Sequence, residues 1–382
     1  MAVDKLSLLV RTLSGVKNLK IAYYLELDPV KHLGVYNKVM THVQEWQKHH
    51  DVRVYMISHC DHEHVEAEDF VNLFSSFLVK TWHSPASKYL NRVLCFQTCK
   101  KAISDFRPDV IYYRLNVYYP GLGGLFKIAK TVIEVNHPVR SSEGSYPAVV
   151  EKSISMINEL TLIKASGYVC TSEHIKESLN ESGYKAKKLV LANGISFSDA
   201  VPQRNQSYSR PRLIMIGSPG QSWQGYDKFL EMAQYCPEYD FFLVGPDKNQ
   251  IDSDAPGNFN FLGFKTQKEL YSIYRNMDIG VGTLAAYRKG ISEASPLKTR
   301  EYAKYGLPMI IGYDDTDLSA SHEKICNIGN YPGNVSDNLK RIARFIDRFS
   351  NLEKCINGYE VLCSIRKERK RVRFLSELAG LE

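Results

Sequence analysis

The chain has 382 residues and a net charge of +7, from 49 Lys and Arg against 42 Asp and Glu. Hydrophobic residues make up 44% and charged residues 24%, which excludes disordered, collagen-like and coiled-coil proteins. No apolar run approaches the roughly 20 residues that span a bilayer, and Asp4, Lys5 and Arg11 interrupt any signal-peptide core. The length suits two domains, and the sequence predicts a cytoplasmic protein.

Strand and helix patterns alternate through the first half of the chain. A helical pattern runs over 34–49, and a long stretch over 63–106 is mostly helical in pattern. Asn193 and Gly194 form a turn where this series ends. The predicted strands of this half are apolar, and they lie at 19–27, 52–57, 109–113, 131–135, 167–170 and 189–191.

A polar stretch with two prolines follows at 197–211, and we predict that it is a linker because it lacks apolar periodicity. After it the alternation of strands and helices begins again. The predicted strands lie at 212–216, 240–244, 260–262, 278–282 and 308–311, with helices at 226–235, 268–276 and 296–305 between them.

Strands separated by helices of about ten residues favour parallel βαβ units. We therefore predict an α/β fold of two Rossmann-like, doubly wound domains, one over 1–196 and the other over 212–354. Ligands of such sheets bind beyond the carboxyl ends of the strands. The cleft between the two domains is the predicted site.

The most informative stretch is EASPLKTREYAKYGLP, which begins at Glu293. Ser295 suits an N-cap and Pro296 suits a first helical position, so a helix is expected to begin there. The amides exposed at its start, the helix dipole and Lys298 together favour an anion such as a diphosphate. Glu293 and Glu301 flank this anion site, and ionised carboxylates accept hydrogen bonds from sugar hydroxyls. A capped surface helix with ordinary acidic residues is the alternative.

The same stretch, read as Glu-x7-Glu followed by Tyr-Ala-x-x-Gly-x-Pro, resembles the signature of the retaining glycosyltransferases of family 4, which have the GT-B fold. A second pattern of that family follows the first strand of the second series, where Gly217 and Ser218 precede Trp223 and Asp227. An acidic loop at 314–317 is a further match. The resemblance implies that Gly217 and Ser218 border the nucleotide of a nucleotide-sugar donor, linked through UDP or GDP.

The resemblance also assigns roles around the diphosphate. Glu293 is expected to hold the hydroxyls of the donor sugar, and Glu301 the ribose hydroxyls. Lys298 is expected to neutralise the diphosphate leaving group, with help from nearby amides. Those amides belong to the turn formed by Ser295, Pro296 and Leu297.

Further residues take roles from the same family. The glycine-rich loop after its first strand corresponds to Gly34, although Val35 stands where a second glycine is common. His137, which follows a predicted strand, matches a histidine near the transferring sugar. Gly263 and Phe264 lie where the family contacts the base through backbone groups.

The sequence departs from the family at two cations. An Arg and a Lys usually follow the first strand of the second domain and face the diphosphate, but Ser218 and Gln224 stand at or near those places. Lys298 is the best replacement, with Arg288 and Lys289 as second choices.

The implied reaction is transfer of a glycosyl group, of the hexosyltransferase type, with retention at the anomeric carbon. The acceptor would be a saccharide or a lipid-linked saccharide, as in the assembly of surface polysaccharides. Apart from the donor no cofactor is expected. Asp315 and Asp317 mimic a metal-binding Asp-x-Asp motif, but we expect them to cap a turn and we predict no required metal.

Between Arg366 and Arg373, six of eight residues are basic. In the GT-B fold the last helix, here over 355–382, packs back on the first domain, so a solvated helix face is one interpretation. Contact with an anionic membrane surface, which would place the protein on the inner face of the membrane, is the other. An interfacial apolar anchor could come from Phe74, Phe77, Leu78, Lys80 and Trp82.

Two other functions remain open at this point. Nucleotide-sugar epimerases share the two-domain layout and need no acceptor. Nucleic-acid binding through the basic segment is a weaker alternative, because no aromatic residues interleave its charges for base stacking. We therefore expect no nucleic-acid partner.

Overall fold

The computed structural model describes residues 18–27, 32–58, 74–78, 85–116, 118–138, 158–197, 208–251, 254–350 and 352–381. These residues form two parallel α/β domains, as the alternation of strands and helices predicted. Most of the predicted linker at 197–211 lies outside the described residues. In this part of the chain no helix combines the length and the apolar character needed to cross a membrane.

The first domain is built on a seven-stranded, wholly parallel sheet with the order β3-β2-β1-β4-β5-β6-β7. The strand β1 is buried along almost its entire length, as expected for a parallel sheet covered on both faces. The strands are β1 (Lys20–Leu27), β2 (Asp51–Ser58), β3 (Phe74–Leu78), β4 (Val110–Arg114), β5 (Lys130–Val135), β6 (Gly167–Cys170) and β7 (Lys187–Val190). The helices are α1 (Leu33–Gln47), α2 (Pro85–Phe106) and α3 (Glu173–Glu181).

The second domain contains a six-stranded parallel sheet with the order β10-β9-β8-β11-β13-β15, and a separate two-stranded ribbon, β12 with β14. The strands are β8 (Arg212–Ile216), β9 (Asp240–Val244), β10 (Phe259–Gly263), β11 (Ile279–Val281), β12 (Glu293–Ala294), β13 (Met309–Ile311), β14 (Asp314–Asp315) and β15 (Ile325–Asn327). The helices are α4 (Tyr226–Tyr235), α5 (Gln267–Tyr274), α6 (Leu297–Lys304), α7 (Leu339–Phe349) and α8 (Ser364–Ala379).

One prediction of secondary structure was wrong in part. We expected helical structure through most of 63–106, but Phe74–Leu78 pairs with β2 as the edge strand β3, and the helix begins at Pro85. Hydrogen bonds to β2 decide this conformation, and they are not visible in the local pattern of apolar residues. Residues Phe74, Phe77 and Leu78 of the predicted membrane anchor therefore belong to a sheet edge, while Lys80 and Trp82 lie outside the described residues.

The helix α8 leaves the second domain and packs on the first. Trp46 of α1 donates its indole N–H to Glu368 at 2.9 Å, and both side chains are buried. Phe374 and Leu375 belong to the same hydrophobic core as β1 and α1. The first domain therefore takes one of its covering helices from the far end of the chain.

Candidate functional site

The turn that precedes α6 faces the first domain. It follows the ribbon strand β12, and its Leu297 approaches the start of α1. A Cβ atom placed on Gly34 would lie 3.5 Å from Cδ1 of Leu297. The structure therefore brings the predicted glycine of the first domain and the predicted diphosphate turn of the second domain together across the cleft.

Ser295 ties this turn to the first domain. Its hydroxyl donates to the carbonyl of Thr171 at 3.1 Å and accepts from the amide of Asn193 at 3.2 Å. The Asn193 side-chain amide also donates to the Ser295 carbonyl at 2.6 Å. We predicted Ser295 as the N-cap of α6, and this was wrong: Pro296 holds the cap position, and Leu297 is the first helical residue. The Ser295 hydroxyl is satisfied by partners that are distant in sequence.

Glu293 also bonds across the domain boundary. Its two carboxylate oxygens accept hydrogen bonds from the backbone amides of Glu173, at 3.2 Å, and His174, at 3.1 Å. These are the first two amides of α3, which have no partner inside their own helix. The predicted sugar-binding carboxylate is therefore held at a helix N-terminus of the first domain.

Lys298 lies between the end of β8 and Gln224, one of the two positions at which the resemblance led us to expect a cation. Its ammonium donates to the carbonyl of Ile216, at the end of β8, at 3.1 Å, and it also contacts the Gln224 side-chain oxygen. Both partners are neutral, and among the described residues no carboxylate compensates this ammonium for its loss of water. Burial accordingly lowers the pKa of Lys298 from its usual value to about 7.

The two second-choice cations have other contacts. Arg288 binds the Asp227 carboxylate with two hydrogen bonds of 2.8 and 2.6 Å, and this pairing raises its pKa. Lys289 lies over the ring of Trp223, 5.4 Å from the centroid. Gly225, which lies between Trp223 and Asp227 in the sequence, has a φ of +80°. A Cβ atom on this residue would lie 3.0 Å from the backbone nitrogen of Ala285. Contacts of Trp223, Gly225 and Asp227 therefore hold the loop that contains Arg288 against the start of α4.

Glu301 lies inside the second domain, next to the predicted base-binding segment. The Tyr274 hydroxyl donates to it at 2.8 Å, and Gln267 is a further hydrogen-bond partner. Burial raises the pKa of Glu301 above its usual range. Gln267 begins α5, three residues after Phe264, a residue that is 71% exposed. Glu301 and the Gly263–Phe264 segment are thus joined through α5.

The ends of β8 and β9 approach very closely beside this site. A Cβ on Gly245, where φ is +110°, would lie 1.8 Å from the carbonyl oxygen of Gly217, so this close approach requires glycine at 245. The Tyr226 hydroxyl donates to the carbonyl of Ser218 at 2.7 Å and packs against Gly217. Gly217 and Ser218 therefore border the site with backbone atoms.

Arg300 is a fully buried cation that the sequence did not single out. It pairs with Asp315 at 3.0 Å and with Asp317 at 3.2 Å, and its Nε donates to the carbonyl of Asn193 at 2.9 Å. Lys367 of α8 completes the cluster by binding Asp317 at 2.8 Å. This cluster of four charged side chains joins α6, the acidic loop and α8.

The Asp-x-Asp motif has the turn-capping contacts that we expected. Asp315 accepts hydrogen bonds from the amides of Asp317, at 3.0 Å, and Leu318, at 3.2 Å. Among the described residues, no group of three or more His, Cys, Asp or Glu side chains is placed to hold a metal ion.

A charged cluster that we did not predict lies in the first domain. Glu134, fully buried in β5, binds Lys38 at 2.6 Å and Arg114 at 2.9 Å. Burial by itself would raise its pKa, but the two cations hold the pKa of Glu134 well below its usual range. A glutamate in the middle of the apolar stretch TVIEV was the available signal. His137 follows the same strand and is exposed.

No protein-family model matches the chain, and neither does any curated protein. Solved structures do match over nearly its whole length. A glycosyltransferase from Rickettsia africae aligns with a TM-score of 0.63 at 13% identity, covering 95% of this chain and 99% of that one. HepE from Anabaena, in complex with UDP, aligns with a TM-score of 0.62 at 10% identity, covering 94% and 100%.

A UDP-GlcNAc 2-epimerase from Neisseria meningitidis, bound to UDP-GlcNAc, aligns with a TM-score of 0.54 at 13% identity, covering 94% of this chain and 100% of that chain. At such low identity these likenesses show the fold. The chain therefore has the GT-B fold, with two parallel-sheet domains that face each other, as the sequence predicted.

Proposed function

We propose that the protein is a retaining glycosyltransferase that uses a nucleotide sugar as donor and a hydroxyl of a saccharide or lipid-linked saccharide as acceptor. The observation that carries this proposal is the position of Lys298. Its partly buried ammonium lies against two neutral oxygens at the end of β8, beside the turn that faces Gly34. A desolvated cation that has no anionic partner in the described part of the chain suits a ligand that brings its own negative charge.

The other site residues take roles around a donor bound at this point. The diphosphate meets Lys298 and the start of α6, and the ribose hydroxyls meet Glu301. Glu293 holds the donor sugar, with His137 of the first domain near it. The base lies along the Gly263–Phe264 backbone. Three solved structures of the same fold contain bound UDP, UDP-GlcNAc or a UDP-glucose analogue, which supports a nucleotide-sugar partner for this protein.

The reaction we propose breaks the bond between the anomeric carbon and a phosphate oxygen, and forms a bond to the acceptor oxygen on the same face. The acceptor proton passes to the departing phosphate oxygen, so no protein base is needed. The protein contributes positioning and charge. We propose that this chemistry requires no metal, because Lys298 stabilises the leaving group, and that the product belongs to a surface polysaccharide or glycoconjugate.

A thermal-shift screen tests the donor. We expect UDP or GDP, and the matching nucleotide sugar, to raise the melting temperature, since a ligand that binds only the folded state stabilises it. Glu301→Ala should weaken that nucleoside diphosphate by at least about tenfold, because hydrogen bonds to a charged acceptor are lost. Glu238→Ala, which removes an exposed carboxylate between α4 and β9, serves as the matched control. No shift with either diphosphate or any nucleotide sugar would contradict the proposal.

The epimerase alternative is supported by the epimerase structures among the similar folds. It predicts that a nucleotide sugar incubated with the protein alone is converted to its 2-epimer. Transfer predicts no such product without an acceptor, so chromatography of the nucleotide sugar after incubation separates the two functions.

We also propose that the acceptor lies at an anionic membrane surface. Of the predicted basic segment, Lys367 and Arg371 are buried in ion pairs, so only part of it remains as a surface. The exposed cations are spaced at i, i+3, i+4 and i+7, on one face of α8: Arg366, Arg369, Lys370 and Arg373.

Vesicle binding tests this surface. Replacing the four exposed cations of α8 with Gln should reduce sedimentation with vesicles of phosphatidylglycerol and phosphatidylcholine by more than tenfold, since each cation adds up to about 1 kcal/mol. Neutral phosphatidylcholine vesicles are the control. Equal binding by the wild type to both kinds of vesicle would contradict an electrostatic surface.

A further inference from the structure

The carboxylate of Glu293 and the N-terminus of α3 belong to different domains, and two hydrogen bonds join them. Both carboxylate oxygens are used, one for the amide of Glu173 and one for the amide of His174. The Ser172 side chain caps the same helix by accepting from the amide of Ile175 at 3.3 Å. Side chains therefore satisfy the first three amides of α3, and one of those side chains belongs to the second domain.

This contact fixes the direction of Glu293. A carboxylate held by two neighbouring amides keeps one orientation, while its remaining lone pairs can accept further hydrogen bonds. This orientation exists only while the two domains are in the arrangement of this structure.

We infer that the N-terminus of α3 positions Glu293 for the donor sugar, so that the first domain controls a group of the second domain's donor site. Glu173 and His174 act through their backbone amides and do not touch the sugar. This inference rests on the proposed function, in which Glu293 holds the sugar hydroxyls. It adds that the carboxylate is correctly aimed only when the two domains are arranged as in this structure.

Glu173 allows one of these amides to be removed with little disturbance. It is the first residue of α3, a position where proline is favoured because its missing N–H has no partner inside the helix. Ser172 before it has φ of −154° and ψ of 162°, an extended conformation that is compatible with a following proline. Glu173→Pro therefore deletes the amide that binds Glu293. Glu173→Ala is the matched control, since it loses the exposed side chain and keeps the amide.

We expect Glu173→Pro to lower kcat for transfer about tenfold relative to Glu173→Ala, with an unchanged Kd for the free nucleoside diphosphate, UDP or GDP. The extra affinity of the nucleotide sugar over the free diphosphate should fall in parallel. In a Glu293→Ala background, Glu173→Pro and Glu173→Ala should behave alike, because the group that the amide positions is gone. A general structural defect would instead lower the activity of both backgrounds.

The outcomes are distinguishable. A wild-type protein that neither binds nor transfers from any nucleotide sugar overturns the proposed function. An active wild type in which Glu173→Pro matches Glu173→Ala overturns the inference alone. If Glu173→Pro does not fold, hydrogen exchange of peptides spanning 172–176 replaces it: Glu293→Ala must speed exchange there, and unchanged exchange would refute the contact.

Discussion

Replacing Lys298 with Gln is expected to slow sugar transfer by roughly 100- to 1000-fold, the loss typical when one group that stabilises a developing charge is removed. The Lys298 ammonium lies next to the Gln224 side-chain oxygen and 3.1 Å from the carbonyl of Ile216. Diphosphate affinity should fall more than the affinity of the corresponding monophosphate. Steady-state transfer rates and calorimetry with the two nucleotides measure these effects.

The double variant Lys298→Gln with Gln224→Lys exchanges the two side chains, which contact each other, so that the cation now comes from position 224. We expect it to recover a large part of the lost rate. Lys268→Gln, an exposed lysine on α5, changes the net charge equally and should leave transfer unaltered. Failure of the exchanged pair to recover activity, together with an equal loss for mono- and diphosphate, would refute the assigned role of Lys298.

The affinity for the nucleoside diphosphate is expected to depend on pH through the protonation of Lys298. Because burial lowers the pKa of Lys298 to about 7, the amine is mostly protonated at pH 6 and mostly neutral at pH 8. A bound diphosphate favours the charged form, so binding at pH 8 should take up a proton. The affinity should then fall as pH rises above 7, by up to about tenfold per unit. Calorimetry in buffers of different ionisation enthalpy measures the proton uptake, which should vanish in Lys298→Gln.

Replacing Arg300 with Met is expected to cost about 3–5 kcal/mol of unfolding free energy, the range found when one partner of a buried ion pair is deleted. The change leaves Asp315 and Asp317 without their fully buried cation and leaves the Asn193 carbonyl without its donor. Lys367 still binds Asp317, so Asp315 bears most of the loss. Denaturant unfolding monitored by circular dichroism measures the difference.

A compensated variant separates lost charge from lost packing. Adding Asp315→Asn and Asp317→Asn to Arg300→Met removes the uncompensated carboxylates, and we expect this to recover part of the stability. Arg348→Met, an exposed arginine on α7, is the control and should change stability by less than about 0.5 kcal/mol. A cost for Arg300→Met no larger than that of the control would contradict the account.

The sequence was sufficient to predict the alternation of parallel strands and helices, because buried strands such as β1 are nearly continuous apolar runs. The family resemblance selected Gly34 and Leu297, and the structure brings these two residues together across the cleft. Motif spacing alone did not assign their partners. The roles proposed for Glu293, Lys298 and Glu301 remain predictions.

Contacts between residues distant in the chain could not be foreseen. Ser295 has the local signature of an N-cap, but Thr171 and Asn193 take its hydrogen bonds. Phe74–Leu78 forms a strand because β2 offers it a pairing edge. Nothing in the sequence singled out Arg300, and only the fold places its side chain between two aspartates.

The return of α8 to the first domain has a consequence for how this chain can be divided. Cutting it at the linker would leave the amino-terminal fragment with Trp46 and Val39 facing water, because Phe374 and Leu375 would be on the other fragment. The carboxyl-terminal fragment would carry an amphipathic helix with no surface to cover. The two sheets therefore share one packing helix, and we expect the first domain to complete its hydrophobic core only after α8 has been synthesised.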